Sequence, residues 1–186
     1  GETAPVKAAM ATFEEQGYSC VALATSHAFH SKIVAPANEP LRRFLEDLEI
    51  RWPNVPITAN VDGTFYPMEG SNSKASILEK LAPQMASSVE WTKQIETMYE
   101  AGGRLFVEVG PKRALTMFAM QILEGKPHVP IMTNHPKQGG IASFMTAIGA
   151  LALAGRPPAW PALDSEALQA GFKAGPIESL RIRARP

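Results

Sequence analysis

The stretch RLFVEVGPKRALTMFAMQILEG, residues 104–125, decides the fold class. Its opening RLFVEV is a short apolar run of the kind that makes a buried strand. Gly110-Pro111 ends that run, and a proline at the start of a helix already has the φ the helix needs. Leu115, Phe118, Ala119 and Ile122 then recur at i, i+3, i+4 and i+7, which predicts an amphipathic helix with Gly125 as its stop. HVPIMT (128–133) follows as another strand, so residues 104–133 read as one strand–helix–strand unit.

Working outward, the same alternation continues. A helix is expected over about 141–154. Upstream, helical material from Lys74 to Leu81 breaks near Pro83 and restarts from Ser88 to Ala101. VPITANVD (55–62) reads as a strand running into a turn at Asp62-Gly63, and the Gly/Pro/Ser/Asn-rich 64–73 as a loop. Leu41, Phe44, Leu45 and Leu48 mark a helix whose start is blurred by Pro36 and Pro40 around Asn38. SCVALAT (19–25) reads as a buried strand. Before it, Thr3 is placed to cap a helix carrying Val6, Ala9, Met10 and Phe13, with Gly17 beyond. The pattern predicts an α/β fold with parallel strands and helical crossovers. The first helix has no strand before it, as though the sequence starts inside a strand–helix–strand unit. From Gly155 the composition turns Pro-rich and ends in RIRARP, an extended tail.

Composition bounds the function. The 186 residues are 45% hydrophobic and 19% charged, within the globular range. Eighteen Lys+Arg balance eighteen Asp+Glu, so no basic excess drives nucleic-acid binding. Apolar runs such as IGALALA (148–154) fall far short of the roughly 20 residues of a membrane span, and GETAPVKAAM is not a signal peptide. The single cysteine, Cys20, excludes an internal disulfide and a Cys-rich metal site, which fits a reducing, cytoplasmic setting.

Four histidines carry the possible chemistry: His27, His30, His128 and His135. His27 and His30 follow a predicted strand, where α/β sheets place their ligand crevices. Polar loop residues or helix caps would look the same. His-x-x-His lacks the i, i+4 spacing of a helical zinc pair, so no metal is expected. A histidine base needs a nucleophile, and no G-x-S-x-G elbow is present in this sequence. Cys20 sits in an apolar run and reads as a small hydrophobe rather than a thiolate. The residues alone give a base without its nucleophile.

The segment TSHAFHSKIVAPA (25–37) resembles the histidine motif of malonyl-CoA:acyl-carrier-protein transacylases and of acyltransferase domains in type I polyketide and fatty-acid synthases. The resemblance continues at VPITANVDG (55–63), QMASSVEWTKQIETM (84–98) and LFVEVGPKRALTMF (105–118). It implies the C-terminal part of an α/β-hydrolase-like acyltransferase core with part of an inserted ferredoxin-like small subdomain. Residues 1–26 would be the remainder of that subdomain, 27–154 the core, and 155–186 a post-acyltransferase linker. It further implies that His30 is the catalytic base and that the main-chain carbonyl of Gln84 holds its other ring nitrogen. His27, Ala28 and Phe29 would occupy substrate-selecting positions, the HAFH form going with malonyl units. A coenzyme A thioester would be the substrate, phosphopantetheine on an acyl carrier protein the acceptor, and no covalently bound cofactor is implied. The family's elbow serine, oxyanion segment and carboxylate-binding arginine lie upstream of the histidine motif and have no counterpart here. The expected partners are therefore a serine-bearing N-terminal half, the carrier protein and neighbouring synthase domains, with neither nucleic acid nor membrane. A non-catalytic docking or scaffold module that keeps this fold is the alternative.

Overall fold

The computed structural model describes residues 1–68, 74–135 and 137–156. Beyond Arg156 the expected linker lies outside them, as do residues 69–73 of the expected loop. The elements run α1 (Thr3–Glu15), α2 (Asn38–Glu46), α3 (Lys74–Leu81), α4 (Trp91–Glu100), β1 (Leu105–Glu108), α5 (Ala114–Ile122), β2 (Val129–Met132) and α6 (Gly140–Leu153). Short 3₁₀ helices occupy Lys32–Ala37, ahead of α2, and Ala82–Met85, after α3. The chain is α/β. No helix among the described residues is long and apolar enough to cross a membrane.

The contacts divide the chain into two units. The first comprises Gly1–Glu108 and Arg113–Ile131. A hydrophobic core lies where α4 meets α5: Ile95, Ala119 and Leu123 are buried, with Trp91, Met98, Tyr99, Phe106 and Ile122 against them. Fully burying side chains such as Ile95 and Leu123 stabilises by about 1.5–3 kcal/mol each. β1 and β2 pair in a two-stranded sheet, and Val129 N–H also donates to Arg104 O at 2.8 Å. The expected strand–helix–strand unit thus forms, with shorter strands than 104–109 and 128–133. Glu108 caps α5: its carboxylate accepts the N–H of Leu115 at 3.3 Å and of Thr116 at 2.8 Å, and also the Thr116 hydroxyl. A carboxylate at a helix N-terminus satisfies orphan donors and meets the positive end of the helix dipole.

In the second unit, Val109–Lys112 lies with the described residues from Met132 to Arg156. Lys112 bridges Asn134, and α6 turns its small residues Ser143 and Ala147 inward. The Ser143 hydroxyl donates to Gly139 O at 2.8 Å and accepts from His135 N–H at 2.9 Å.

Four expectations are corrected. Residues 19–25 form no strand, and Val21 and Leu23 stand 79% and 81% exposed. An apolar run becomes a strand only where another backbone pairs with it, and among the described residues none does. Thr3 is not the cap of α1; Glu2 holds that position, without a side-chain hydrogen bond. The inner face of α5 is Thr116 and Ala119, continued by Leu123, whereas Leu115 and Phe118 are 44% and 50% exposed. The expected strand at 55–62 contracts to a single Thr58–Phe65 bridge closing a tight hairpin. Ala59 N–H donates to Thr64 O at 2.7 Å and Gly63 N–H to Ala59 O at 2.9 Å. Gly63 is buried with φ +68°, and a Cβ there would lie 2.7 Å from Lys93 Cβ, so glycine is required.

Candidate functional site

The loop 25–31 is shaped by Ser31. Its hydroxyl donates to Ala28 O at 2.6 Å and accepts from Ile33 N–H at 3.4 Å, capping the 3₁₀ helix that follows. This fold-back places His30 at φ +59°, a left-handed conformation uncommon for a residue with a Cβ. A second anchor holds it there: His30 N–H donates to Met85 O at 2.7 Å. The backbone of the histidine loop is therefore bonded to the 3₁₀ turn Ala82–Met85, and both lie in the first unit.

The same turn meets the imidazole. His30 Nδ1 lies 3.1 Å from Gln84 O and 3.2 Å from Ser87 O. Carbonyl oxygens only accept, so Nδ1 carries the hydrogen and shares it between two acceptors. Nε2 is then the basic nitrogen, on a residue that is itself exposed. Two carbonyl dipoles also face the ring on the side where positive charge would spread once Nε2 takes a proton. They supply less charge than an aspartate would, but they fix the same tautomer. Such an arrangement can accept a proton from an approaching hydroxyl or thiol and later return it.

The other expected positions fall in the same loop. His27 Nδ1 is 3.0 Å from Ser26 Oγ, and its ring lies 5.8 Å, centroid to centroid, from that of Phe29. Ala28 is half-buried and Phe29 47% exposed. Cys20 is a free, half-buried thiol. Among the described residues no group of His, Cys, Asp and Glu gathers as metal ligands.

Sequence reasoning brought His30 and Gln84 together but missed the rest of the cradle. Ser87 contributes a main-chain carbonyl, a group every residue carries, so no residue type could mark it. Its side chain is held locally: Ser87 Oγ donates to Pro83 O at 2.9 Å, beside the Ala86 N–H that bonds the same carbonyl at 3.1 Å. Below the hairpin turn, Lys80 Nζ donates to Asp62 Oδ2 at 2.8 Å, to Phe65 O at 3.3 Å and to the Thr64 hydroxyl. Asp62 Oδ1 accepts from both Thr64 N–H and Thr64 Oγ1. Burial pushes the Asp62 pKa up, but Lys80 and the Thr64 bonds outweigh it and hold the carboxyl below its ordinary value. Burial, then the charge of Asp62, raises the Tyr66 phenol.

No protein-family model matches the chain. It is 31% identical over 163 residues to the phenolphthiocerol synthesis polyketide synthase type I of Mycobacterium marinum, covering 88% of this chain and 8% of that protein. The malonyl CoA-acyl carrier protein transacylase of Haemophilus influenzae is 31% identical over 124 residues, covering 66% of this chain and 38% of that protein. Among solved structures, the acyltransferase domain from the second module of the salinomycin polyketide synthase superposes with a TM-score of 0.72 at 25% identity, covering 94% of this chain and 40% of that one. The chain thus spans at most two fifths of the length of these three proteins.

Proposed function

Because this chain is homologous to malonyl-CoA:acyl-carrier-protein transacylases and polyketide synthase acyltransferase domains, and has their fold, we propose that it is the base-bearing part of such an acyltransferase. It would move a malonyl-type acyl group from coenzyme A to the phosphopantetheine thiol of an acyl carrier protein. The observation that carries the reading is His30, with Nδ1–H held between the carbonyls of Gln84 and Ser87 and Nε2 left basic.

In the first half-reaction, Nε2 takes the proton of a serine hydroxyl as its oxygen attacks the thioester carbonyl. The imidazolium then returns that proton to the departing coenzyme A sulfur, leaving an acyl-serine. In the second, Nε2 takes the proton of the phosphopantetheine thiol as its sulfur attacks the acyl-serine, and returns it to the serine oxygen. The serine belongs to a portion of the acyltransferase that this sequence does not contain. Residues 1–26 belong to a small subdomain in this reading, 27–154 to the core and 155–186 to a linker leading to neighbouring synthase domains. His27, Ala28 and Phe29 line the acyl position and favour malonyl over bulkier units.

The test joins residues 1–186 to the serine-bearing portion and measures malonyl transfer from malonyl-CoA to a holo carrier protein. His30→Ala should slow it about 100- to 10,000-fold, the usual worth of a positioned general base. Unchanged transfer in that variant removes His30 from the chemistry. An assembly that takes up no malonyl group at all overturns the enzyme reading in favour of a scaffold.

A further inference from the structure

Behind Gln84 runs a line of side-chain amides that the reaction described above does not use. Gln94, on the inward face of α4, is only 4% exposed. Its Oε1 accepts from Thr58 Oγ1 at 2.9 Å, and its Nε2 donates to Asn60 Oδ1 at 3.2 Å. Asn60 Nδ2 donates in turn to Gln84 Oε1 at 3.5 Å. The line has one sense throughout, hydroxyl to amide oxygen and amide nitrogen to the next amide oxygen. The orientations of Gln94 and Asn60 are therefore each fixed by a neighbour on either side, and Gln84 Oε1 ends the line as an acceptor.

The line is also anchored to the main chain at its middle. Asn60 O accepts from Glu90 N–H at 2.8 Å, tying the hairpin to the start of α4. Its far end is the residue whose main-chain carbonyl faces His30. That carbonyl sits in a 3₁₀ turn of four residues, too short to hold its own peptide planes through a helical ladder. The two carbonyl contacts to His30 Nδ1, at 3.1 and 3.2 Å, lie at the long end of the useful range, where a small displacement weakens both.

We propose that Asn60 and Gln94 are positioning residues for the acyl-transfer reaction. Through the Gln84 side chain they hold the Gln84 carbonyl on His30 Nδ1, which keeps Nε2 unprotonated and aimed at the reacting hydroxyl or thiol. This inference rests on the reading of His30 as the base. Breaking the line frees the ring to populate the Nε2–H tautomer, which cannot accept the proton. Outer hydrogen-bond partners that orient metal-bound imidazoles cost about 10- to 100-fold when removed, and the same orienting work is expected to be worth as much here.

The experiment uses the acyltransferase completed by its serine-bearing portion, with malonyl-CoA as donor, and compares Asn60→Ala, Gln94→Met and Gln84→Met. Gln84→Met removes only the last acceptor of the line, keeps side-chain volume and leaves the Asn60–Gln94 pair intact, so it remains informative if either other variant fails to fold. Two quantities are read: the tautomer of His30, from ¹⁵N shifts of labelled histidine, and the separate values of kcat and KM. Mixed tautomers together with a kcat about 10- to 100-fold lower, at a KM for malonyl-CoA within about twofold, are expected. A folded Gln84→Met protein with a pure Nδ1–H tautomer and unchanged kcat overturns the proposal, even if His30→Ala is inactive. Unchanged transfer in His30→Ala instead overturns the base reading beneath it.

Discussion

At the scale of single residues, the hairpin that carries Asn60 is braced by one ion pair. Asp62 closes the turn onto Thr64, and Lys80 reaches from α3 to bind its second oxygen. Burial opposes the charged carboxylate, yet the net effect of Lys80 and Thr64 is a pKa below the ordinary value of 3.8. A carboxyl whose pKa is lowered by folding stabilises the fold above its unfolded pKa, and loses that contribution as pH falls through the folded one. Asp62→Asn, in the chain joined to its serine-bearing portion, should therefore lower the urea midpoint at pH 7. The difference should shrink below about pH 4 and vanish once Asp62 is protonated in both states. A difference that persists undiminished at low pH would mean that the Lys80–Asp62 charge pair does not hold the turn. The pair is partly exposed, so the effect at neutral pH should be modest.

At the scale of elements, Glu108 links β1 to α5. The short sequence Glu-Val-Gly-Pro bends the chain so that the last residue of the strand caps the helix that follows. Removing a helix cap costs about 0.5–2 kcal/mol, with 1.4 kcal/mol equal to a factor of ten in a local opening equilibrium. Glu108→Ala should speed amide exchange at Leu115 and Thr116 by about 10-fold, and Glu108→Gln, whose amide oxygen still accepts, by less. Equal exchange in all three proteins would rule out the cap. This cap also explains why the α5 stripe was legible in its period but not in its phase. Ala114 to Ile122 is apolar on nearly every side, so spacing alone cannot choose an inward row. The bonds of Thr116 to Glu108 choose it, turning Thr116 and Ala119 inward. The run at 19–25 failed for a related reason, because hydrophobicity shows that a segment can be buried but not what would pair with it. The site was legible where a local motif carries it, in HAFH followed by Ser31. Beyond Gln84, which the family resemblance supplied, it was illegible: the Ser87 carbonyl has no residue type to mark it, and only the folded chain brings Asn60 and Gln94 to Gln84.

At the scale of the whole chain, large apolar side chains stand exposed from α1 through the histidine loop. Phe13, Tyr18, Val21, Leu23 and Phe29 are 50%, 63%, 79%, 81% and 47% exposed. They run from the end of α1 into the loop that holds His30, and the intervening backbone pairs with no strand among the described residues. Single exposed hydrophobics are ordinary, but an unpaired apolar run leading into the loop of the proposed base is the surface a partner segment would cover. In the proposed reading that segment is the serine-bearing portion, which must reach Nε2 of His30 in any case. Covering Val21 and Leu23 there would add hydrophobic stabilisation and deliver the nucleophile in one contact. Residues 1–186 alone should then self-associate and unfold without a sharp transition, and co-expression with the serine-bearing portion should give a cooperative, monodisperse complex. Val21→Asp with Leu23→Asp should reduce the self-association of the isolated chain, and should also weaken the complex. Light scattering and thermal unfolding read both effects. A monodisperse monomer of residues 1–186 with a sharp unfolding transition would show that this surface needs no cover, and the assignment of the 19–25 segment as the seat of the missing portion would fall.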